Sequence, residues 1–482
     1  MNIILVSPPN PSMVDPRIAP PLGLLMLVSW ARHAGAWRTE DFRCVDLNTA
    51  CHQPDAPVGH LTHDFSLPRC MREVPSGGDV YGVQLASMQM PHGLAVAASL
   101  DEREPSALTV CGGSHASAVP DECADSFDVV VTQEGEHAFL SLIDAWRSRS
   151  GPLYEQVVAA RARRRSHAGP GLVLHGPQVA DLDVLPVPAR DLLDFGKYTR
   201  RVAGAKATNI ITTRGCPARC TFCQQDSLWG RGLRMQSTAH ILGEVDHIYE
   251  SLGIRNLLFL DDSLTARKRS EMLSLAHGLG DRGVKWRGWT RANLCARDGE
   301  IEVLRAMADG GCQALCIGVE AGTDKVLKAV GKGTTVEQNR TAIRRVKEAG
   351  MWARCSIMVG NPEETWEDVE ALCRFVEEVQ PDDWILSSFV PLPGTPSWDH
   401  PDRYGIVIDK EKARRERYRH FFVVGGDEQS GLVHRYENGV GPAQIQARHD
   451  YAQERLLRTC PRDRIRVTVG RDGLDPRERV AA

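Results

Sequence analysis

Short apolar runs alternate with longer amphipathic stretches over residues 1–150. The runs are "NIILVS", "FRCVDL", "VYGVQLAS", "ALTVCGG" and "FDVVVTQ". Between them, "LGLLMLVSWARHAG", "HGLAVAASLDE" and "EHAFLSLIDAWRSR" repeat apolar residues every three to four positions. The first pattern predicts buried strands and the second predicts helices. Alternating strand and helix signals predict a parallel, doubly wound, Rossmann-like α/β sheet. Such a sheet takes its ligand beyond the carboxyl ends of its strands.

The pattern changes over residues 151–205. An arginine run, "RARRR", reads as a solvated face, and the proline-bearing "DLDVLPVPARDLLDF" reads as a linker with short elements. A second alternating series fills 206–395. Its strands are "TNIITTR", "NLLFLDD", "WRGWTRA", "ALCIGVE", "ARCSIMVG" and "DWILSSFVP". Helical patterns separate them: "HILGEVDHIYESL", "SEMLSLAHGLG", "EIEVLRAMADG", "VEQNRTAIRRVKEAG" and "WEDVEALCRFVEEV". Six such units are too few for a closed eight-stranded barrel, so an open, partial TIM-type barrel is expected, with its site at the strand carboxyl ends. Residues 396–482 read as a helical extension with a charged tail. Trp398, Tyr404, Phe421 and Phe422 in it are either core or a cover over the site.

Composition narrows the function. The 482 residues carry a formal net charge of −4, which argues against a nucleic-acid or polybasic membrane binder. No apolar run approaches the ~20 residues that span a bilayer. The first ten residues, "MNIILVSPPN", lack the basic start of a secretory signal. A cytoplasmic, monomeric protein is expected. Most of the 14 cysteines are isolated and read as small buried hydrophobes. Cys312 and Cys316 have no third thiol beside them, so no second cluster is expected.

"RGCPARCTFCQQ", Arg214 to Gln225, is different. Three thiols at spacings of C-x-x-x-C-x-x-C follow the first strand of the second series. A structural zinc site closes four ligands. Three thiolates on one short loop match three irons of a cubane cluster and leave the fourth iron open.

These residues resemble the signature of the radical S-adenosylmethionine (radical SAM) superfamily, with Phe222 just before the last cysteine. The resemblance implies a 4Fe-4S cluster on Cys216, Cys220 and Cys223, whose open iron chelates S-adenosylmethionine. The reduced cluster then cleaves a carbon–sulfur bond and yields a 5′-deoxyadenosyl radical. It extends over most of the barrel region. "FLDDS" makes Asp261 and Asp262 candidates for the methionine amine, with capping of the next helix as the alternative for either one. "WTRANL" offers Arg291 to the methionyl carboxylate. "CIGVEAGT" offers Glu320 to the ribose or methionyl group. "MVGNPEET" places Gly360 against the adenine, ahead of Glu364 and Thr365. No general acid or base is singled out.

The first region resembles the cobalamin-binding domain that precedes many radical SAM cores, through "PPLGLLMLVSWAR", "VDLN", "CGGSHASAVPDE", "FDVVVTQEGE" and the join "VLPVPARDLLDF". The resemblance implies cobalamin contacts at Ser87, Met88, Gly112, Gly113, Ser114, His115, Glu134 and Gly135. The D-x-H-x-x-G sequence that supplies a histidine to cobalt is missing, so a base-off cobalamin with no histidine ligand is implied. The loop "SMQMPH" would lie under the corrin.

Together these imply a cobalamin-dependent radical SAM methyltransferase. It would methylate an unactivated carbon of a small or medium-sized natural-product intermediate held between the two sets of strand ends. A reduced flavodoxin or ferredoxin would supply the electron. The same cofactors also serve cyclisation, ring contraction or rearrangement without methyl transfer, and nothing in the motifs separates these outcomes. A non-catalytic cofactor-binding sensor would need the S-adenosylmethionine site to be missing.

Overall fold

The computed structural model describes residues 1–459 except 12, 14, 53–63 and 417–431. Phe421, Phe422, Cys460 and the charged tail therefore lie outside the described residues. The chain divides into two units. The first holds residues 1–198, 224–230 and 414–416, and the second holds most of the remainder.

The first unit is built on six parallel strands: β1 (Ile3–Ser7), β2 (Phe42–Asp46), β3 (Val80–Gln84), β4 (Leu108–Gly112), β5 (Val129–Gln133) and β6 (Leu172–Gly176). Their order is β2-β1-β3-β4-β5-β6. The five predicted strands are all present. Strands β1, β3 and β4 are buried along nearly their whole length, as a central all-parallel sheet requires. Ile3, Leu5, Val80, Val110 and Val129 pack with Leu24 and Val28 of helix Leu22–His33 and Phe139 and Leu142 of helix Gly135–Ser148.

Two expectations for 151–205 are corrected. The segment is no simple linker: it supplies helix Pro152–Arg165 and the sixth strand. Nor is the arginine run wholly a solvated face. Arg164 is 7% exposed, and its Nη2 donates to Asp128 Oδ1 at 2.7 Å. It also pairs with Asp101 through Nη1 at 2.7 Å. Asp128, fully buried at the start of β5, further accepts from the Thr109 amide and hydroxyl. A buried carboxylate needs these partners, and the arginines are drawn in to serve it.

The second unit is an open, curled sheet. Its strands are β7 (Arg201–Val202), β8 (Ala205–Ile210), β11 (Asn256–Phe259), β12 (Trp286–Arg291), β13 (Cys312–Glu320), β14 (Trp352–Val359) and β15 (Asp383–Ser388). A small ribbon between them pairs β9 (Thr213–Arg214) with β10 (Arg234–Met235). The order is β15-β14-β13-β12-β11-β8-β7. Six of the seven run parallel in sequence order, as a partial barrel of six units predicts, and short β7 adds an antiparallel edge. Helix starts are fixed locally. Thr335 Oγ1 accepts from the Gln338 amide while Gln338 Oε1 accepts from the Thr335 amide. A box of this kind contributes about 1 kcal/mol to its helix.

Most of the described C-terminal extension packs on this unit. Strands β16 (Ile406–Ile408) and β17 (His434–Tyr436) pair antiparallel, and helix Pro442–Thr459 follows. Arg455 pairs with Glu377 and Tyr451 donates to Glu370, both on helix Trp366–Val379. Trp398 is buried, and Tyr404 packs against the cluster of Phe389, Ile406 and Tyr436.

Candidate active site

The three thiols sit on a loop that starts just beyond β8 and β9. Gly215 (φ +94°) makes the turn into it. A Cβ there would stand 1.7 Å from the Gly232 carbonyl oxygen, so no other residue fits. The loop is stitched to the barrel by its backbone. The Thr221 amide donates to Val330 O at 2.9 Å, and the Ser397 amide donates to Thr221 O at 3.0 Å. Cys220 is buried, while Cys216 and Cys223 are half-buried. Cys216 Sγ lies 3.6 Å from Ser263 Oγ. Phe222 is turned into the apolar cluster of Val330, Met358 and Phe389.

Asp261 braces this loop from below. It is 1% exposed. One oxygen accepts from the Thr212 and Thr213 amides at 2.6 and 2.7 Å, and the other accepts from Thr212 Oγ1 at 2.6 Å. Burial pushes its carboxyl up, and the Thr212 bonds and the Arg267 charge pull it back. Arg267, also buried, donates to Thr212 Oγ1 and to Gln236 O. Asp261 thus caps no helix. Its carboxylate is spent on the entry to the cysteine loop, and its neighbour Asp262 is exposed.

Arg291 ends β12. Its Nη1 donates to Cys220 Sγ at 3.5 Å, and its Nη2 donates to the Lys332 carbonyl. Lys332 Nζ donates to Glu320 Oε1 at 2.7 Å, and both residues are buried. Glu320 ends β13 with φ +63°, next to an irregularity in register between Gly318 and Glu320. Sequence reasoning missed Lys332. Its signal was a lysine set between two glycines, Gly331 and Gly333, in "VGKGT".

Gly360 (φ +74°) begins the turn after β14. A Cβ there would meet Ile445 Cγ2 at 2.6 Å, so what approaches this glycine is the chain's own last helix. Its amide donates to Glu364 Oε1 at 2.7 Å, and Asn361 Nδ2 donates to Glu364 Oε2 at 2.7 Å.

In the first unit the candidate residues gather at the strand ends of β3, β4 and β5. Gly113 has φ +110°, and a Cβ there would lie 2.7 Å from Leu85 O. At Gly112 a Cβ would come within 3.2 Å of Val131 O. These glycines therefore answer to neighbouring backbone. Glu134, 1% exposed, accepts from the Val179 amide at 3.0 Å and so anchors the segment after β6. Gly135 starts the next helix against Leu27. Ser114 is half-buried and starts the short helix Ser114–Ala118, while Met88, 39% exposed, is turned outward. His115 is fully buried, with Nδ1 3.0 Å from Ser87 Oγ. Burial holds its pKa down at about 4. The same Ser87 hydroxyl accepts from Gln224 Nε2 at 3.5 Å. Gln224 directly follows the last cysteine and belongs to the first unit.

Among the described residues, no three His, Cys, Asp or Glu side chains converge as a single metal ion requires. A cubane spreads its thiolates over three irons, and the donor set here is three thiols with a guanidinium on one of them. That set fits an iron–sulfur cluster. For a corrin, the fit is the topology: the order reverses between β1 and β3, the crevice where doubly wound sheets bind ligands.

Residues 210–376 match the Radical SAM superfamily model. An uncharacterised methyltransferase of Pyrococcus horikoshii is 28% identical over 85% of this chain and 84% of its own. The cobalamin-dependent S-adenosylmethionine radical enzyme OxsB, with aqua-cobalamin and S-adenosylmethionine bound, shares the fold at a TM-score of 0.66 and 16% identity. The match covers 94% of this chain and 66% of OxsB. The radical S-adenosylmethionine methyltransferase TsrM from Kitasatospora setae, with cobalamin and a [4Fe-4S] cluster bound, matches at 0.65 and 16% identity, over 93% of this chain and 85% of TsrM. Residues 210–376 are thus similar to the Radical SAM superfamily, and the chain shares the fold of OxsB and TsrM.

Proposed function

We propose that this protein is a cobalamin-dependent radical SAM methyltransferase. Its substrate is a small or medium-sized biosynthetic intermediate with an unactivated carbon. One observation carries the reading: a three-thiol loop at the end of β8 in a radical SAM domain is joined, in one chain, to a six-stranded parallel sheet. The methyltransferases among the relatives favour methyl transfer over cyclisation. When bound, the cluster with S-adenosylmethionine supplies a carbon-centred radical, and cobalamin carries the methyl group.

The chain's own residues then have defined tasks. Cys216, Cys220 and Cys223 hold three irons and leave one open. Asp261, Thr212 and Arg267 fix the loop that presents them. Glu320, Arg291 and the Gly360 turn bound the pocket for S-adenosylmethionine, with Asp262 beside it. Ser87 and Ser114, at the strand ends, would contact the corrin, with Met88 and Gly112 in the same strand-end turns. The inward orientation of His115 supports a base-off form with no histidine on cobalt. A reduced flavodoxin or ferredoxin as donor, a monomeric state and a cytoplasmic location complete the reading.

Anaerobically reconstituted protein should form 5′-deoxyadenosine. Cys216→Ala, Cys220→Ala or Cys223→Ala should each abolish that product and leave cobalamin bound. Normal 5′-deoxyadenosine output from any of the three would sink the cluster assignment.

A further inference from the structure

The Arg291 guanidinium is held at both ends of its fork. One nitrogen donates to Cys220 Sγ at 3.5 Å and the other to the Lys332 carbonyl. The turn that carries this carbonyl is fixed in place. Lys332 Nζ and Glu320 Oε1 are 2.7 Å apart, with side chains 7% and 10% exposed. A buried pair this enclosed loses more when one partner goes than it contributes as a whole. Glu320 adopts φ +63°, a strained conformation for a non-glycine residue, of the kind that gathers at functional sites. Gly318 completes the arrangement. A Cβ there would stand 2.4 Å from Lys332 Nζ and 2.7 Å from Glu320 Oε1, so the pair lies directly over the glycine, in space a side chain would take.

The consequence concerns Cys220. Hydrogen bonds to the sulfurs are among the terms that set a cluster's reduction potential. A cationic donor on a thiolate favours the more negative, reduced state, and charge-assisted bonds are the stronger kind. We propose that Arg291 is a tuning residue for the cluster. Its guanidinium donates to the Cys220 thiolate and raises the potential, while Gly318, Glu320 and Lys332 hold it there. This rests on reading Cys216, Cys220 and Cys223 as the cluster ligands. It differs from the expectation that Arg291 serves the methionyl carboxylate, and the two separate in the absence of S-adenosylmethionine.

The test uses the full chain, reconstituted anaerobically as wild type, Arg291→Met, Arg291→Lys and Lys332→Met. Iron is measured first. The midpoint potential is then read by redox titration followed by electron paramagnetic resonance, with no S-adenosylmethionine, cobalamin or substrate present. S-adenosylmethionine affinity is measured separately. Arg291→Met should keep its iron and move to a more negative potential. Arg291→Lys should fall between it and wild type. Lys332→Met, which leaves Arg291 in the chain, should move the same way by less. A wild-type potential in Arg291→Met with weakened S-adenosylmethionine binding would overturn the proposal and return Arg291 to the carboxylate. Loss of the cluster in Arg291→Met, with wild-type potentials in both other variants, would overturn it as well. A wild-type protein that takes up no cluster would refute the proposed function itself, before any potential is read.

Discussion

His115 shows how a single residue can be visible in the sequence and its task hidden. It follows two glycines at a strand end, where a ligand contact was expected. Its ring instead lies fully buried on Ser87. Burial holds its pKa at about 4, below the ~6.5 of an exposed histidine. The unfolded chain therefore binds the proton first as pH falls. Stability from this residue is intact above pH ~6.5 and is lost as pH drops toward 4, by about 3 kcal/mol in all. His115→Phe should flatten that part of the pH–stability curve, read as the denaturant midpoint between pH 7 and 4. A variant with the wild-type slope would contradict the assignment. Glu134 makes the same point: a carboxylate in a strand-end turn announces a role, but its partner, the Val179 amide, lies 45 residues on and carries no signal in its side chain.

Elements were the most legible scale. All eleven predicted strands formed, because each was an apolar run bounded by turn residues or by a helix of opposite periodicity. β6 was missed: "LVLHG" is short, only partly buried and hidden behind an arginine-rich helix. That helix looked solvated because Asp128, the carboxylate its arginines serve, stands just before β5, 36 positions earlier than Arg164. Arg164→Met should cost about 3–5 kcal/mol, since it leaves Asp128 buried with too little countercharge. Thermal or denaturant unfolding measures it. A loss below about 1 kcal/mol would mean that Arg161 and Arg165 suffice.

At the scale of the whole molecule, the chemistry was legible in one loop and the support for it was not. Three cysteines at fixed spacing point to the cluster without a fold. Lys332 and Gly318 become meaningful only when β12, β13 and the turn after helix Asp324–Ala329 bring them together, and Arg267 only when the fold sets it on Thr212. The two-cofactor account needs both units of the chain to hold their groups. The most direct test is the cobalamin content of anaerobically purified protein, loaded with hydroxocobalamin and desalted, measured with iron and sulfide. The account predicts about one base-off cobalamin and about four irons per chain. Iron without cobalamin would contradict the methyltransferase reading and leave the radical SAM domain alone.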